Sequence, residues 1–358
     1  MMTSNPVASR FILRSATALA ASFTGARLNP VDDIDCGSLG LDMWMEQVST
    51  IVHPATGAAS GAGFGDGGSV KGMRTLVYAH RGSSKAYAEN TRAAYVQALA
   101  DGADGIECDI HLSSDGFVVC HHDPTVDRTS DSNGRVGDKT LAELKSLDFS
   151  SWKNPWIPAS HGKIDEQLVT LRELVELLQA ADRPVGLAVE IKHPSPYGRQ
   201  LEEAMIAELS DMGWQPEQSM VDDIYISFMS FDPGSVRYLM ERIPPAHVCQ
   251  LVTEVDEDWI DELVKAGESD RAGVAAVLAK AMTEGVELLN TGVPQLAGPG
   301  VAYMRKHPTV TSQWLARGAT FRVWTVDDPE DARYLVGRGV AQLTSNVPAL
   351  IKAHLGLA

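Results

Sequence analysis

From Arg74 onward, short apolar runs alternate with longer stretches of helical spacing. Thr75-Leu76-Val77-Tyr78-Ala79 is apolar and ends in polar residues, as a buried strand does. Residues 91–100 carry apolar side chains at helical spacing (Ala94 and Ala98, Tyr95 and Leu99). Asn90 is the expected N-cap and Gly102 lies just past the end. Residues 105–110 predict a second strand, and 116–120 an extra strand in an excursion opened by the Asp115-Gly116 turn. Helices are expected over 141–147, 171–181, 201–212 and 235–242, and strands over 184–191 and 224–228. The rhythm then repeats: strands over 247–252, 286–290, 320–326 and 341–344, with helices over 259–265, 273–283, 308–317, 329–337 and 348–354. Not counting the excursion, eight strands each precede helical sequence. Such alternation argues for parallel βαβ units, and eight of them within residues 73–358 predict an α/β TIM (β/α)8 barrel.

Residues 1–72 read differently, as an N-terminal extension that is mostly disordered. Residues 43–52 predict one short amphipathic helix, and Pro54 to Gly72 is rich in Gly, Ala and Ser, as flexible linkers are. Arg10-Phe11-Ile12-Leu13-Arg14, with the Ala-rich stretch to Ala26, only faintly matches an export signal, because Arg14 interrupts its apolar region. The expected location is therefore cytoplasmic, with export as the alternative. No run approaches the length of a membrane helix, so stable membrane insertion is not expected.

Composition narrows the function. The chain has 358 residues, 44% hydrophobic and 22% charged, with a formal net charge of −17. That balance is a poor match to a nucleic-acid backbone, and an anionic substrate must be held by local cations and a metal. Cys36, Cys108, Cys120 and Cys249 form no Cys-x-x-Cys pair, and free thiols suit a reducing compartment. Cys108 alternates with two carboxylates, so it is expected to point away from them as a small buried hydrophobe.

The candidate chemistry falls where strands end, which is where barrel enzymes carry it. Glu107 and Asp109 are two apart on a strand and so share one face, pointing inward. Inward carboxylates at close range repel unless a cation is shared between them, and Glu190 on the neighbouring strand supplies a third oxygen ligand. An all-oxygen site suits one Mg²⁺ or Ca²⁺, with Mn²⁺ also compatible. Lys192 shares a face with Glu190, and Lys192 and Arg81 are suited to phosphate oxygens. His80, and one of His121 and His122, are acid/base candidates, since imidazole titrates nearest working pH. Asp123 either orients a ring or caps a turn.

The ordered set His80-Arg81-Gly82, Glu89-Asn90-Thr91, Glu107-Cys108-Asp109, His122-Asp123-Pro124-Thr125 with Asp127-Arg128-Thr129, and Glu190-Ile191-Lys192 resembles the motifs of the glycerophosphodiester phosphodiesterase family. Thr170-Leu171, Ser230-Phe231, Trp324-Thr325-Val326-Asp327 and Thr344-Ser345-Asn346 echo its later segments. The resemblance spans residues 75 to about 352. It implies a TIM barrel with a small insertion after strand two, at about 111–165. It also implies metal ligands Glu107, Asp109 and Glu190, phosphate contacts Arg81 and Lys192, and the catalytic pair His80 and His122. Glu89 becomes a partner behind the ligands, and Trp324 a wall for the substrate glycerol. Two positions depart from the family's pattern. Ala88 stands where Pro is usual, and Ser345 where Asp is frequent.

The implied reaction is metal-dependent hydrolysis of a small glycerophosphodiester to glycerol 3-phosphate and an alcohol. Either the glycerol 2-hydroxyl or water attacks, one histidine takes its proton, and the other protonates the leaving alcohol, with His122 favoured as the acid. Competing readings are a lysophospholipase D or a phospholipase-C-like enzyme, and a non-catalytic phosphate-ligand-binding barrel. Trp152, Trp156 and Ile157 bear on the lipid readings; they are expected to pack the insertion onto the barrel rather than to face a lipid tail.

Overall fold

Alternate residues of the second strand face opposite ways, and that alternation separates chemistry from core. The computed structural model describes residues 74–267 and 269–357. Its strands are β1 (Leu76–His80), β2 (Gly105–Leu112), β3 (Val118–Cys120), β4 (Val185–Ile191) and β5 (Met220–Val221). They continue as β6 (Ile224–Ser230), β7 (Val248–Val252), β8 (Leu296–Pro299), β9 (Thr320–Val323) and β10 (Gln342–Ser345). β1, β2, β4, β6, β7, β8, β9 and β10 pair in parallel, in that order, and β10 pairs back to β1. The result is the expected closed eight-stranded barrel. Ile106, Cys108 and Ile110 of β2 pack outward under the helices, while Glu107 and Asp109 face the other way; all five are buried.

The helices, in order, are α1 (Arg92–Ala100), α2 (Leu141–Lys145), α3 (Leu171–Gln179), α4 (Gln200–Asp211), α5 (Pro233–Met240) and α6 (Glu257–Lys265). α7 (Arg271–Thr291), α8 (Val301–Lys306), α9 (Pro308–Ala316), α10 (Pro329–Gly337) and α11 (Pro348–Leu355) complete the outer layer. No helix among the described residues is long and apolar enough to cross a membrane. The readings made on residues 1–72, including the helix at 43–52, the linker, the disorder and the export signal, lie outside the described residues, as does Cys36.

One predicted strand is corrected. Residues 286–290 belong to α7, and the sixth barrel strand is the four-residue β8 instead. Leu288 and Leu289 continue the buried stripe of Val274, Leu278, Met282 and Gly285, so the apolar run is the end of one long helix face. Gly292, left-handed at φ +72°, stops it. β8 contains Gly298 and Pro299, residues that ordinarily argue against a strand. The glycine is required, because a Cβ there would lie 2.4 Å from the Leu251 side chain.

The excursion after β2 folds back through β3, antiparallel to β2, and builds its own core from Val119, Val126, Val136, Leu144, Phe149 and Leu168. Trp156, 75% exposed, does not pack it onto the barrel as expected; Trp152 is 41% exposed, and neither ring belongs to this small core.

The barrel floor is a polar plug. Arg322, fully buried, donates to Gln342 Oε1 (2.7 Å) and Ser227 Oγ (2.9 Å), and its guanidinium stacks 4.6 Å over the Tyr78 ring. Gly105 and Gly186 leave room for that ring; a Cβ at either would come within 2.3 Å of Tyr78 atoms. Gly105→Ala is therefore expected to cost about 1–3 kcal/mol through overpacking. Denaturant unfolding measures it, and wild-type stability in the variant would contradict the packing described.

Candidate active site

Strand register sets the site. His80 of β1 lies beside Glu107 of β2, and Asp109 of β2 lies beside Glu190 of β4. Glu107, Asp109 and Glu190 each offer an oxygen within 4.8 Å of the others, all three being buried. A cleft of about 320 Å³ opens over them, lined also by His80, Arg81, His111, His122, Lys192 and Trp324. The residues singled out in the sequence on β1, β2 and β4 thus meet at the C-terminal mouth of the barrel, and Cys108 faces away from it as expected.

The carboxylates are held by donors from the first and third βα connections of the barrel. Lys192 Nζ lies 2.6 Å from Glu190 Oε1 and 2.9 Å from Asp109 Oδ1. Arg81 lies with Nε 3.1 Å from Asp109 Oδ2, donates from Nη1 to Glu89 Oε1 (2.9 Å), and gives its backbone N–H to Glu107 Oε2 (2.9 Å). Arg81 is left-handed at φ +55°, a backbone turn that aims both groups into the site. Burial, reinforced by the neighbouring carboxylates, raises the Glu107 carboxyl well above its usual range. Burial likewise raises Glu190. Asp109 goes the other way: burial opposes it, but Lys192 and Arg81 pull it down.

Asn90 has a different role from the one expected. Thr91, not Asn90, caps α1, its side chain accepting from the Ala94 N–H. Asn90 Nδ2 donates to Asp109 Oδ2 (2.8 Å), while Asn90 Oδ1 accepts from the Asp109 N–H (3.2 Å) and the Tyr95 hydroxyl (2.8 Å). A capping pattern was visible in the sequence; a clamp on a strand 19 residues away was not.

The two imidazoles are each fixed through Nδ1. His80 Nδ1 meets Asn346 Oδ1 at 2.8 Å; Asn346 Nδ2 in turn donates to Asp327 Oδ2 (2.7 Å), so the amide oxygen faces His80 and Nδ1 is the donor. His80 Nε2 stands 4.0 Å from Glu107 Oε2. Ser345, at the departure from the family's pattern, donates to Asp327 Oδ1 (3.1 Å) and so braces the same carboxylate. His122 Nδ1 meets Asp123 Oδ1 at 2.7 Å, so Asp123 orients this ring rather than capping a turn. Arg128 grips Asp123 through Nε and Nη2 (2.7 and 2.6 Å) and Glu89 through Nη1 and Nη2 (3.0 and 2.7 Å). Glu89 thus bridges two arginines behind the carboxylate cluster.

His121 is tied to the Asp123 carbonyl (2.8 Å) and Thr129 Oγ1 (3.0 Å) and does not line the cleft. His111, which sequence reasoning passed over, does line it and holds the His122 carbonyl at 3.1 Å. Burial, then the Arg81 charge, pushes His80 down to about 4 and His122 to about 3, so both rings are neutral at pH 7 in the free protein.

The donor set fits a divalent cation. It is all oxygen, its carboxylates outnumber the fixed cations Arg81 and Lys192, and Glu107 Oε1 is buried with no hydrogen-bond partner. Glu89, His122 and Asp123 also converge, but Arg128 already bridges the two carboxylates there. Asn90→Gly keeps the φ +54° backbone unstrained while deleting the clamp, so its cost reads the lost hydrogen bonds together with the added freedom of the unfolded chain. About 1–3 kcal/mol of unfolding free energy is expected to be lost; an unchanged denaturation midpoint would show that the clamp contributes nothing.

The Glycerophosphoryl diester phosphodiesterase family is matched over residues 80–350. A Mycobacterium tuberculosis protein named "Probable glycerophosphodiester phosphodiesterase 1" is 34% identical over 281 residues, 78% of this chain and 92% of that one. Among solved structures, an Oleispira antarctica phosphodiesterase in complex with the product sn-glycerol-3-phosphate aligns with a TM-score of 0.57 at 24% identity, covering 79% of this chain and 97% of that one. A Thermotoga maritima glycerophosphodiester phosphodiesterase gives 0.54 at 23% identity, covering 79% and 99%.

Proposed function

The chain belongs to the glycerophosphoryl diester phosphodiesterase family, and we propose that it hydrolyses small glycerophosphodiesters to glycerol 3-phosphate and an alcohol. The observation that carries the reading is the convergence of Glu107, Asp109 and Glu190 beside two Nδ1-anchored imidazoles in one cleft. Residues 73–358 form the catalytic unit in this reading, with 1–72 as an extension. The free thiols of Cys108, Cys120 and Cys249 suit cytoplasmic work.

Glu107, Asp109 and Glu190 hold one divalent metal ion, Mg²⁺, Ca²⁺ or Mn²⁺. When bound it supplies charge stabilisation to the phosphoryl oxygens. Arg81 and Lys192 contact the phosphate, adding fixed positive charge where negative charge develops. His80, its Nδ1 proton committed to Asn346, presents the Nε2 lone pair and takes the proton of the attacking hydroxyl. His122, held by Asp123, delivers a proton to the leaving alkoxide. That ring is neutral in the free protein because burial and the Arg81 and Lys192 charges disfavour imidazolium. To act as the acid the ring must gain its proton in the substrate complex, where the anionic phosphate weakens the opposition of those two cations. Trp324, anchored by Nε1 to the Gly298 carbonyl (2.9 Å), walls the glycerol.

Trp152 and Trp156 do not line the cleft, so the two residues that bore on the lipid readings give them no support. His80→Ala or His122→Ala is expected to lower kcat at least about a hundredfold, and near-normal turnover by either variant would refute its role. EDTA is expected to abolish hydrolysis of a glycerophosphodiester panel, with Mg²⁺, Ca²⁺ or Mn²⁺ restoring it; full activity in chelator would remove the metal from the account. Because Glu107 and Glu190 titrate above their usual range, divalent binding should release protons and tighten as pH rises. Calorimetry in buffers of different ionisation enthalpy reads this directly, and an affinity independent of pH would contradict it.

A further inference from the structure

Two carboxylates approach Nδ1 of His122. Asp123 Oδ1 lies 2.7 Å away and Glu262 Oε1 3.8 Å. Asp123 is the next residue in the chain, but Glu262 comes from α6, in the fifth βα unit of the barrel. That helix sets its place. Trp259, Glu262 and Leu263, at helical spacing, all reach the cleft. Ile260 and Leu263 pack on Val274 and Leu278 of α7, and the Trp259 ring meets Phe231 at 4.9 Å. At the end of α6 the Ala266 carbonyl accepts from Arg135 Nη2 (2.6 Å), which ties the helix to the excursion that carries His122.

The two carboxylates are not equivalent. Both oxygens of Asp123 also accept from Arg128, so its charge is shared with that guanidinium. Glu262 has His122 as its one ion-pair partner among the described residues. The fixed cations nearest it, Lys192, Arg128 and Arg81, are each engaged by other carboxylates. Burial, then the charge of Asp123, pushes the Glu262 carboxyl up to about 7. A carboxyl that resists ionisation thus stands beside an imidazole that resists protonation. Passing one proton from the first to the second creates two charges that attract.

We propose that Glu262 is a positioning residue for the acid, its carboxylate holding the His122 imidazolium in the substrate complex so that the ring can protonate the leaving alkoxide. This rests on the phosphodiesterase reading with His122 as the acid. The Glu262 O–H bond breaks and its proton reaches His122 Nε2 through solvent, to which Glu262 is partly exposed. Nδ1 keeps its hydrogen bond to Asp123. As the P–O bond breaks, its electron pair goes to the alcohol oxygen. That oxygen takes the proton from Nε2, and the N–H pair stays on the ring. Solvent then returns a proton to Glu262.

The test is a leaving-group comparison, with metal present, between glycerophosphocholine and the p-nitrophenyl ester of glycerol 3-phosphate. An alkoxide needs a proton to leave; p-nitrophenolate is a stable anion and does not. Glu262→Gln keeps the size of a partly exposed side chain and removes its charge. It is expected to lower kcat/KM for the choline ester about tenfold or more, and to lower it far less for the p-nitrophenyl ester. In a His122→Ala background the same substitution should have no further effect on the choline ester, because the two residues act as one unit. Equal losses on the two esters, no loss on either, or an undiminished effect of Glu262→Gln without His122 would overturn the inference and leave the phosphodiesterase reading standing. If His122→Ala slowed both esters equally, the acid role would go, and the inference with it. No turnover of either ester by the wild-type protein would overturn the phosphodiesterase reading itself.

Discussion

Glu107, Asp109 and Glu190 are like charges gathered where little water can screen them. At the separations found, each pair repels by several kcal/mol in an effective protein permittivity. Barrel register imposes this arrangement, because inward positions on adjacent parallel strands have nowhere else to point. Everything nearby is arranged as compensation. Lys192 and Arg81 bring positive charge, Asn90 and the Arg81 N–H bring donors, and Glu107 still keeps one buried oxygen without a partner. A pocket so rich in negative oxygen suits a divalent ion, and in the proposed reaction that ion would present a cationic surface to the phosphate.

The histidines depend on that cluster at one remove. Each is tied through Nδ1 to an oxygen whose own position is fixed by a second residue, Asp327 behind Asn346 and Arg128 behind Asp123. Ring orientation is therefore fixed in the free protein, as the proton transfers proposed for these rings would require. Arg128 also joins Glu89, and Glu89 joins Arg81, so one chain of ion pairs runs from the second imidazole back to the carboxylates.

What the sequence revealed follows from what is local. Glu107 and Asp109 share a face because strands alternate, and His80, Arg81, Glu190 and Lys192 sit at strand ends; both facts are visible without coordinates. Contacts across connections were not visible. Asn90 looked like a helix cap because capping and clamping use the same amide, and only the barrel brings it to Asp109. Trp259 and Glu262 read as ordinary members of an amphipathic helix, and it takes the docking of α6 at the mouth to bring them to the same cleft as the carboxylates. The misplaced strand has a similar cause. Apolar residues at 286–290 suit either structure, and the true β8 hides behind glycine and proline in a run whose hydrogen bonds come from parallel neighbours.

The most direct check on the central claim is anomalous diffraction from crystals grown with Mn²⁺. The account predicts a single anomalous peak bonded to one carboxylate oxygen each from Glu107, Asp109 and Glu190, at distances typical of oxygen ligation. A peak elsewhere, or none at these residues in crystals that retain activity, would contradict it.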